Sequence, residues 1–276
     1  MMDAVALQNV SKEYPSFLLD SVTFNVPMGS VVGLIGENGA GKSTTIRLIL
    51  GMIHPDDGQI TVLGKQEALD YEHIGVVFDE NCFPATLSAR DAGKIMRASY
   101  KTWSESVYEG YLKRFDLPPK KMIKDYSRGM RMKLSIAMAL SHDSRLLVLD
   151  EATSGLDPVV RDEILDIFYD FMQNEQHSIL MSSHITSDLE KICDYITLIH
   201  KGKVYFHEEK DVLLSRYGVL QCEQRILETL EPEAVRSVRR SQFGMQALVE
   251  RDKIPPHFPV DPITLDTLLL FTAKEE

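Results

Sequence analysis

Cysteine is scarce, with three in 276 residues at Cys82, Cys193 and Cys222, and their wide scatter offers no zinc or redox pair spacing. An odd, dispersed set of this kind is expected as buried, reduced thiols rather than a disulfide framework. Basic charge is in deficit: 30 Lys and Arg against 41 Asp and Glu leave a formal net charge of −11. An acidic surface repels polyanions, so a nucleic-acid-binding role is not expected. No apolar run approaches the ~18 residues that a membrane-spanning helix needs. The opening residues, Met1-Met2-Asp3-Ala4-Val5, carry an early acid and no basic-then-apolar signal segment. No low-complexity stretch argues for disorder, and a soluble cytoplasmic chain is expected. What is present is an apolar share of 44%, enough for a packed core in one large domain or a domain with an appendage.

Turn signals and apolar periodicity divide the chain. Val22 to Val26 alternates like a half-exposed strand and stops at Pro27 and Gly29. Val31 to Ile35, Ile60 to Leu63 and Ile74 to Phe78 suggest further strands. From about Ser88 to Ser144 the pattern turns helical, most clearly over Lys133 to Leu140. Strands return at Leu146–Leu149, Ser178–Met181, Tyr195–Ile199 and Lys203–Phe206, with a helix between the first two whose Ile164, Ile167, Phe168 and Phe171 share one face. Alternating strands and helices predict an α/β fold with a largely parallel sheet covered on both sides, and residues 88–144 an inserted helical subdomain. Beyond about Glu208 the pattern weakens into a mixed tail broken by Pro255, Pro256 and Pro259, ending in the apolar Leu268 to Phe271.

The strongest motif is Gly36-Glu37-Asn38-Gly39-Ala40-Gly41-Lys42-Ser43-Thr44, with the spacing of a phosphate-binding loop. A strand-like run precedes it and a helix-like run follows, which is the context the motif requires. Glycines let backbone N–H groups turn toward phosphate oxygens, and the helix opening at the loop presents its positive end to the anion. Lys42 is expected to reach the β- and γ-phosphates and the Ser43 hydroxyl to ligate Mg²⁺. Cleaving a γ-phosphate also needs a metal clamp and an oriented water. The apolar strand Leu146 to Leu149 delivers Asp150 and Glu151 to the C-terminal sheet edge, where α/β sites lie. Asp150 is the candidate Mg²⁺ ligand and Glu151 the candidate base. In Ser154-Gly155-Leu156-Asp157-Pro158, Asp157 is placed as a helix N-cap with Pro158 at the first helical position. His184, after Ser182-Ser183, closes another predicted strand at the same edge.

With these pieces in order, about residues 2–215 resemble the ATP-binding subunit of an ATP-binding-cassette (ABC) transporter. The segment Tyr126-Ser127-Arg128-Gly129-Met130 resembles the signature that separates this family from other phosphate-loop enzymes. The resemblance implies a P-loop NTPase core with a mixed, largely parallel sheet, an N-terminal antiparallel β subdomain and the helical insertion at about 88–144. Residues 216–276 would form an appendage packed on the core or on a dimer partner. It further implies that Ser127 and Gly129 face the γ-phosphate of a second subunit, that Asp157 communicates across that dimer, that His184 contacts the γ-phosphate and that Tyr14 stacks on adenine. The cofactors implied are ATP and Mg²⁺. The partners implied are a separate transmembrane permease and a second copy of the chain or a paralogous ATPase, at the inner face of the cell membrane.

Two departures from the family pattern stand out. The signature normally reads Leu-Ser-Gly-Gly-Gln, whereas Tyr126, Arg128 and Met130 occupy its first, third and fifth positions. This form resembles a branch of bacterial exporters of peptides, antimicrobials or drugs. Position 79, normally the glutamine that links Mg²⁺ to the membrane-facing loop, is Asp79, followed by Glu80. An ionised carboxylate can hold a cation but cannot donate a hydrogen bond to water. Cys82, Phe83, Pro84, Leu87 and Tyr100 are candidates for the groove that receives the permease, and Arg236-Ser237-Val238-Arg239-Arg240 forms a basic patch in the tail. The alternatives are an ATP-sensing subunit with little turnover, or a soluble non-transport ABC ATPase. Residues 45–125 lack the sustained heptads of a repair-type coiled coil, and one phosphate loop is fewer than a two-cassette ribosomal factor carries.

Overall fold

The computed structural model describes all residues except 1, 67, 80–82, 242–243 and 273–276. Its centre is a six-stranded sheet made of β3 (Val31–Ile35), β5 (Ile74–Phe78), β6 (Leu146–Asp150), β7 (Ser178–Ser182), β8 (Tyr195–His200) and β9 (Lys203–Glu209). The strand order is β5-β6-β7-β3-β8-β9, parallel throughout except for the β8–β9 hairpin. Strands β3, β6 and β7 read as unbroken apolar runs because both of their faces are covered. Leu147 and Leu149 point into one hydrophobic cluster with the helices, while Leu146 and Val148 point into another beneath the N-terminal sheet.

That second sheet is antiparallel, ordered β2-β1-β4, from β1 (Asp3–Tyr14), β2 (Phe17–Pro27) and β4 (Asp57–Val62). Val22, Phe24 and Val26 bury inward while Thr23 is exposed, the alternation expected of a one-faced strand. Helix α1 (Lys42–Ile49) packs Ile46, Leu48 and Ile49 into the same cluster. His207 joins the two sheets: its Nδ1 lies 2.8 Å from Thr197 Oγ1 on β8 and its Nε2 2.9 Å from Asn25 Oδ1 on β2.

The other face carries α2 (Ala89–Ser99), α3 (Glu105–Arg114), α4 (Arg128–Ala139), α5 (Pro158–Phe171) and α6 (Thr186–Ile192). Ser88, Ser104, Ser127 and Asp157 cap α2, α3, α4 and α5 by accepting hydrogen bonds from first-turn N–H groups. Tyr108, fully buried, donates from its hydroxyl to the Ala89 carbonyl at 2.7 Å and pins α3 to the start of α2. Burial pushes that hydroxyl's pKa up, because a phenolate has no compensating partner there.

The tail is more regular than its sequence pattern suggests. After α7 (Lys210–Arg216), β10 (Tyr217–Cys222) enters a four-stranded antiparallel sheet. Short helix α8 (Gln224–Leu227) leads to β11 (Val235–Ser241), β12 (Gly244–Glu250), β13 (Val260–Pro262) and α9 (Leu265–Thr272). The order is β11-β12-β10-β13. The apolar Leu268 to Phe271 lies in α9, where Leu265, Leu268 and Phe271 join the core cluster that contains Leu189 and Cys193. Two hydrogen bonds fix this helix to α6: Thr186 Oγ1 donates to Asp266 Oδ1 at 2.7 Å, and the Leu265 N–H donates to Glu190 Oε1 at 2.6 Å. The basic run falls on edge strand β11, with Arg236 paired to the mostly buried Glu250. Cys193 is fully buried and Cys222 half-buried, both without a disulfide and with pKa raised by burial. Cys82 lies outside the described residues.

Phe271→Ala should lower unfolding free energy by about 3–5 kcal/mol by opening a cavity under α9, measured by urea denaturation. Burial also holds His207 and His142 below the usual imidazole pKa. The unfolded chain therefore takes up protons first, so stability is full above the unfolded value of about 6.5 and falls as pH drops below it. The thermal midpoint should decline from pH 7 to 5.5, and His207→Gln should flatten that decline.

Candidate functional site

The C-terminal ends of the parallel strands converge on a cleft of about 730 Å³ beside the loop between β3 and α1. Two glycines make the loop's tight path possible. Gly36 (φ +153°) approaches β8 so closely that a Cβ would overlap the Ile199 carbonyl oxygen. At Gly41 (φ +119°) a Cβ would lie 2.8 Å from Leu19 Cδ1 and 3.0 Å from Phe17 Cζ. Ala40 is buried beneath the loop, while Asn38 and Gly39 are exposed along its outer side. Lys42 is 7% exposed, and its ammonium donates to the carbonyls of Gly36 at 2.7 Å and Glu37 at 3.2 Å. Desolvation lowers its pKa, opposed by the charges of Glu151 and Asp150. Ser43 and Thr44, in the first turn of α1, line the cleft with Asn38, Gly39, Gly41 and Lys42.

Asp150 and Glu151 arrive at the end of β6, as their position after an apolar strand implies. Neighbouring Ser182, at the end of β7, organises both: its hydroxyl donates to Asp150 Oδ1 at 2.6 Å and accepts from the Glu151 N–H at 3.1 Å. That second bond helps hold Glu151 in a left-handed conformation, φ +54°, uncommon for a residue with a side chain. The turn brings the Glu151 carboxylate to His184, with Nδ1 2.6 Å from Oε2 and the His184 N–H donating to the same oxygen at 3.3 Å. The ionised carboxylate only accepts, so Nδ1 carries the proton in this pair. Ser43 Oγ lies 3.4 Å from Asp150 Oδ1. A hydroxyl beside a carboxylate is a hard oxygen pair of the kind Mg²⁺ takes, and that ion completes its shell with water and substrate phosphates. Among the described residues no group of three or more His, Cys, Asp or Glu side chains is placed to hold a metal by itself.

The remaining sequence candidates fall around this centre. Asp79 lines the cleft at the end of β5, and its carboxylate is ion-paired with Arg128. Glu80 lies outside the described residues. Tyr14, 38% exposed, sits across the β1–β2 turn from Phe17, ring centroids 6.5 Å apart, and Phe17 rather than Tyr14 forms the cleft wall. Ser127 and Arg128 are exposed at the start of α4, Gly129 is half-buried and Tyr126 is buried, its hydroxyl donating to Pro118 O at 2.7 Å. Asp157 caps α5 through the N–H groups of Val159 and Val160 and does not border the cleft. Phe17 and Ser182 were not given a role from sequence, and Ser154 was named only as the start of the segment that carries Asp157. Phe17 looks like any strand residue, and the task of Ser182 depends on which strand lies beside β6.

A separate groove of about 200 Å³ opens between the sheet and the helical layer, lined by Val76, Phe78, Phe83, Met96, Tyr100 and His142 among others. Phe83 and Tyr100 were expected there. Pro84 is exposed and Leu87 packs on the core. His142 stacks on Tyr100 at 4.1 Å.

Comparison with known proteins gives one answer. The family model described as ABC transporter matches residues 19–154. The lantibiotic transport ATP-binding protein SrtF of Streptococcus pyogenes is 36% identical over 209 residues, covering 74% of this chain and 90% of that protein. The bacitracin transport ATP-binding protein BcrA of Bacillus licheniformis is 37% identical over 196 residues, 67% of this chain and 63% of that one. A solved structure titled as the ATP binding subunit of an ABC transporter superposes with TM-score 0.66 at 30% identity, covering 75% of this chain and 90% of its own. A dimeric ATP-binding cassette in a post-hydrolysis state with ADP and Pi, 21% identical, shares the fold at TM-score 0.66 over 74% of this chain and 98% of its own. The chain therefore belongs to the ABC transporter family, as an ATP-binding subunit of the ABC ATPase type.

Proposed function

We propose that this chain powers export of an antimicrobial or amphipathic peptide, or a drug, through a separate membrane subunit by binding and hydrolysing ATP between two paired copies. The observation that carries the catalytic part is the Glu151–His184 contact of 2.6 Å at the edge of a cleft that also holds Lys42 and Ser43. The lantibiotic and bacitracin transport relatives support the choice of substrate class.

ATP enters with its phosphates along the loop 36–44, where backbone N–H groups and the α1 N-terminus favour the anion. Lys42 leaves its loop carbonyls for the β- and γ-phosphates, regaining charged partners for a buried ammonium. Ser43 and Asp150 would hold Mg²⁺, the ion when bound would neutralise charge on the phosphate oxygens, and Asp79, expected from sequence as a further ligand, has its carboxylate paired with Arg128 instead. Glu151 accepts the proton of the attacking water as its oxygen bonds to the γ-phosphorus and ADP departs. His184 fixes the Glu151 carboxylate through Nδ1, and its Nε2 can donate to the γ-phosphate only when the ring is doubly protonated. Phe17, on the cleft wall, offers aromatic surface to adenine, with Tyr14 beside it across the β1–β2 turn.

The second copy supplies what one subunit lacks at the open side of its cleft. The exposed N-terminus of α4, capped by Ser127 and continued by Gly129, presents a hydroxyl and backbone N–H groups suited to a γ-phosphate held by another subunit. In a two-fold pair each subunit would complete the other's site, with Asp157 near the seam. A paralogous ATPase could take the second place. The 200 Å³ groove with Phe83 and Tyr100 suits a short helix of the permease, which would seat the pair on the inner face of the cell membrane. Among the described residues no helix is long and apolar enough to cross a membrane. The chain would divide into the ATP-binding unit 1–215, with its helical insertion at about 88–144, and the appendage 216–276.

Glu151→Gln should keep ATP binding, lose roughly 10²–10⁴-fold in turnover and accumulate as an ATP-bound dimer, followed by phosphate release and light scattering. Unchanged turnover would remove Glu151 as the base. Ser127→Arg should abolish ATP-dependent dimerisation in size-exclusion chromatography while a single subunit still binds nucleotide. Persistence of the dimer would place the signature away from the partner's site.

A further inference from the structure

The two departures from the family pattern, 49 residues apart in sequence, meet in space. Asp79 stands where the family has a neutral glutamine, Arg128 where the signature has glycine, and the Arg128 guanidinium donates directly to the Asp79 carboxylate. A third segment closes around the same group. The guanidinium lies where a Cβ of Gly155 would be, on the turn that follows Glu151, and Gly155 (φ +65°) leaves that space open. One side chain at the start of α4 thus touches the end of β5 and the turn after β6.

The charges around the cleft explain why such a contact matters. Its described lining includes three carboxylates, Glu37, Asp79 and Glu151, while Lys42 is the one lysine or arginine there. Asp150 adds a further carboxylate within reach of Ser43. ATP is a polyanion, so an unneutralised carboxylate at position 79 raises the cost of holding its γ-phosphate. Both members of the Asp79–Arg128 pair are about 45% exposed (44% and 46%). Pairs so exposed contribute little to folding, because solvent screens them and ordering two side chains costs entropy. Fold stability therefore gives the pair little role, whereas Asp79 lies on the wall of the cleft.

We propose that Arg128 is a positioning residue for the nucleotide site of its own subunit, holding the Asp79 carboxylate neutralised and turned aside so that the cleft accepts a polyphosphate. The glutamine of the family pattern needs no such partner, and the arginine in the signature compensates for the acid. The inference rests on the cleft being the ATP site. Because Arg128 lies between Ser127 and Gly129, the test is read at protein concentrations where the chain is a single subunit and no second copy's site is present.

The test is a double-mutant cycle on the full-length chain, titrated with Mg²⁺ and a non-hydrolysable ATP analogue in a calorimeter. Arg128→Gln should weaken binding by roughly three- to tenfold, since one unscreened charge now faces the phosphates. Raising salt from about 50 to 500 mM should shrink that loss, because the interaction is electrostatic. Adding Asp79→Asn to Arg128→Gln should recover most of the affinity, and Arg128→Lys should retain it. Asp79→Asn alone should tighten binding about two- to threefold, because Arg128 then adds uncompensated positive charge. Thermal midpoints of all four variants should stay close to the parent's, which separates the effect from misfolding.

Arg128→Gln binding as tightly as the parent, or a double variant as weak as Arg128→Gln, would overturn the proposal. So would weakening by Asp79→Asn that appears with Mg²⁺ and vanishes with a chelator, which would make Asp79 a metal ligand. Failure of the parent itself to bind the analogue would instead overturn the assignment of the cleft.

Discussion

Burial of the Lys42 ammonium is the constraint around which the nucleotide edge is arranged. A buried cation is tolerable only with oxygens around it, and Lys42 meets two loop carbonyls while two carboxylates stand across the cleft. The loop can wrap this group only because Gly36 and Gly41 let the backbone run against β8 and the β1–β2 hairpin. The same wrapping sets the start of α1, with Ser43 and Thr44, on the cleft, where a helix N-terminus favours an anion.

Opposite that cation, a pair of serine hydrogen bonds does the corresponding work for the acids. Ser182 bonds Asp150 and the Glu151 backbone together, so two consecutive carboxylates point to different tasks. Asp150 turns to Ser43, and Glu151, through its left-handed turn, turns to His184. His184 lies two residues before α6, and α6 is itself tied by Thr186 and Glu190 to α9 of the C-terminal sheet unit. Hydrogen bonds at either end of the short backbone step from His184 to Thr186 thus connect α9 with the Glu151–His184 pair.

Local chemistry made much of this legible beforehand. The phosphate loop, the strand ending in Asp150-Glu151 and the capped start of α5 are written in short spans where glycine, apolar runs and capping residues each admit few conformations. The central strands were visible because both faces are buried, giving unbroken apolar stretches. The C-terminal sheet was not, because β11 reads Val-Arg-Ser-Val-Arg-Arg-Ser, and an edge strand with exposed arginines lacks a clean alternation. Its order comes from pairing with β12 and from Glu250 meeting Arg236. Sequence pointed to Tyr14 and passed over Phe17, since the two-residue turn between them sets which ring reaches the cleft.

By itself the sequence determined the chemistry on offer: a loop for phosphate, an acid pair at a strand end, a capped helix carrying Ser127 and Gly129, and an acidic composition with no membrane-length apolar run. Those properties follow from residue type and short-range spacing, which act within a few bonds. Only the tertiary structure decided which distant groups share a charge or a hydrogen bond: Ser182 with Asp150, His184 with Glu151, Arg128 with Asp79, Glu190 with the start of α9. Strand order sets those meetings, and strand order is fixed by how two hydrophobic faces are buried at once, a property no single stretch of the chain contains.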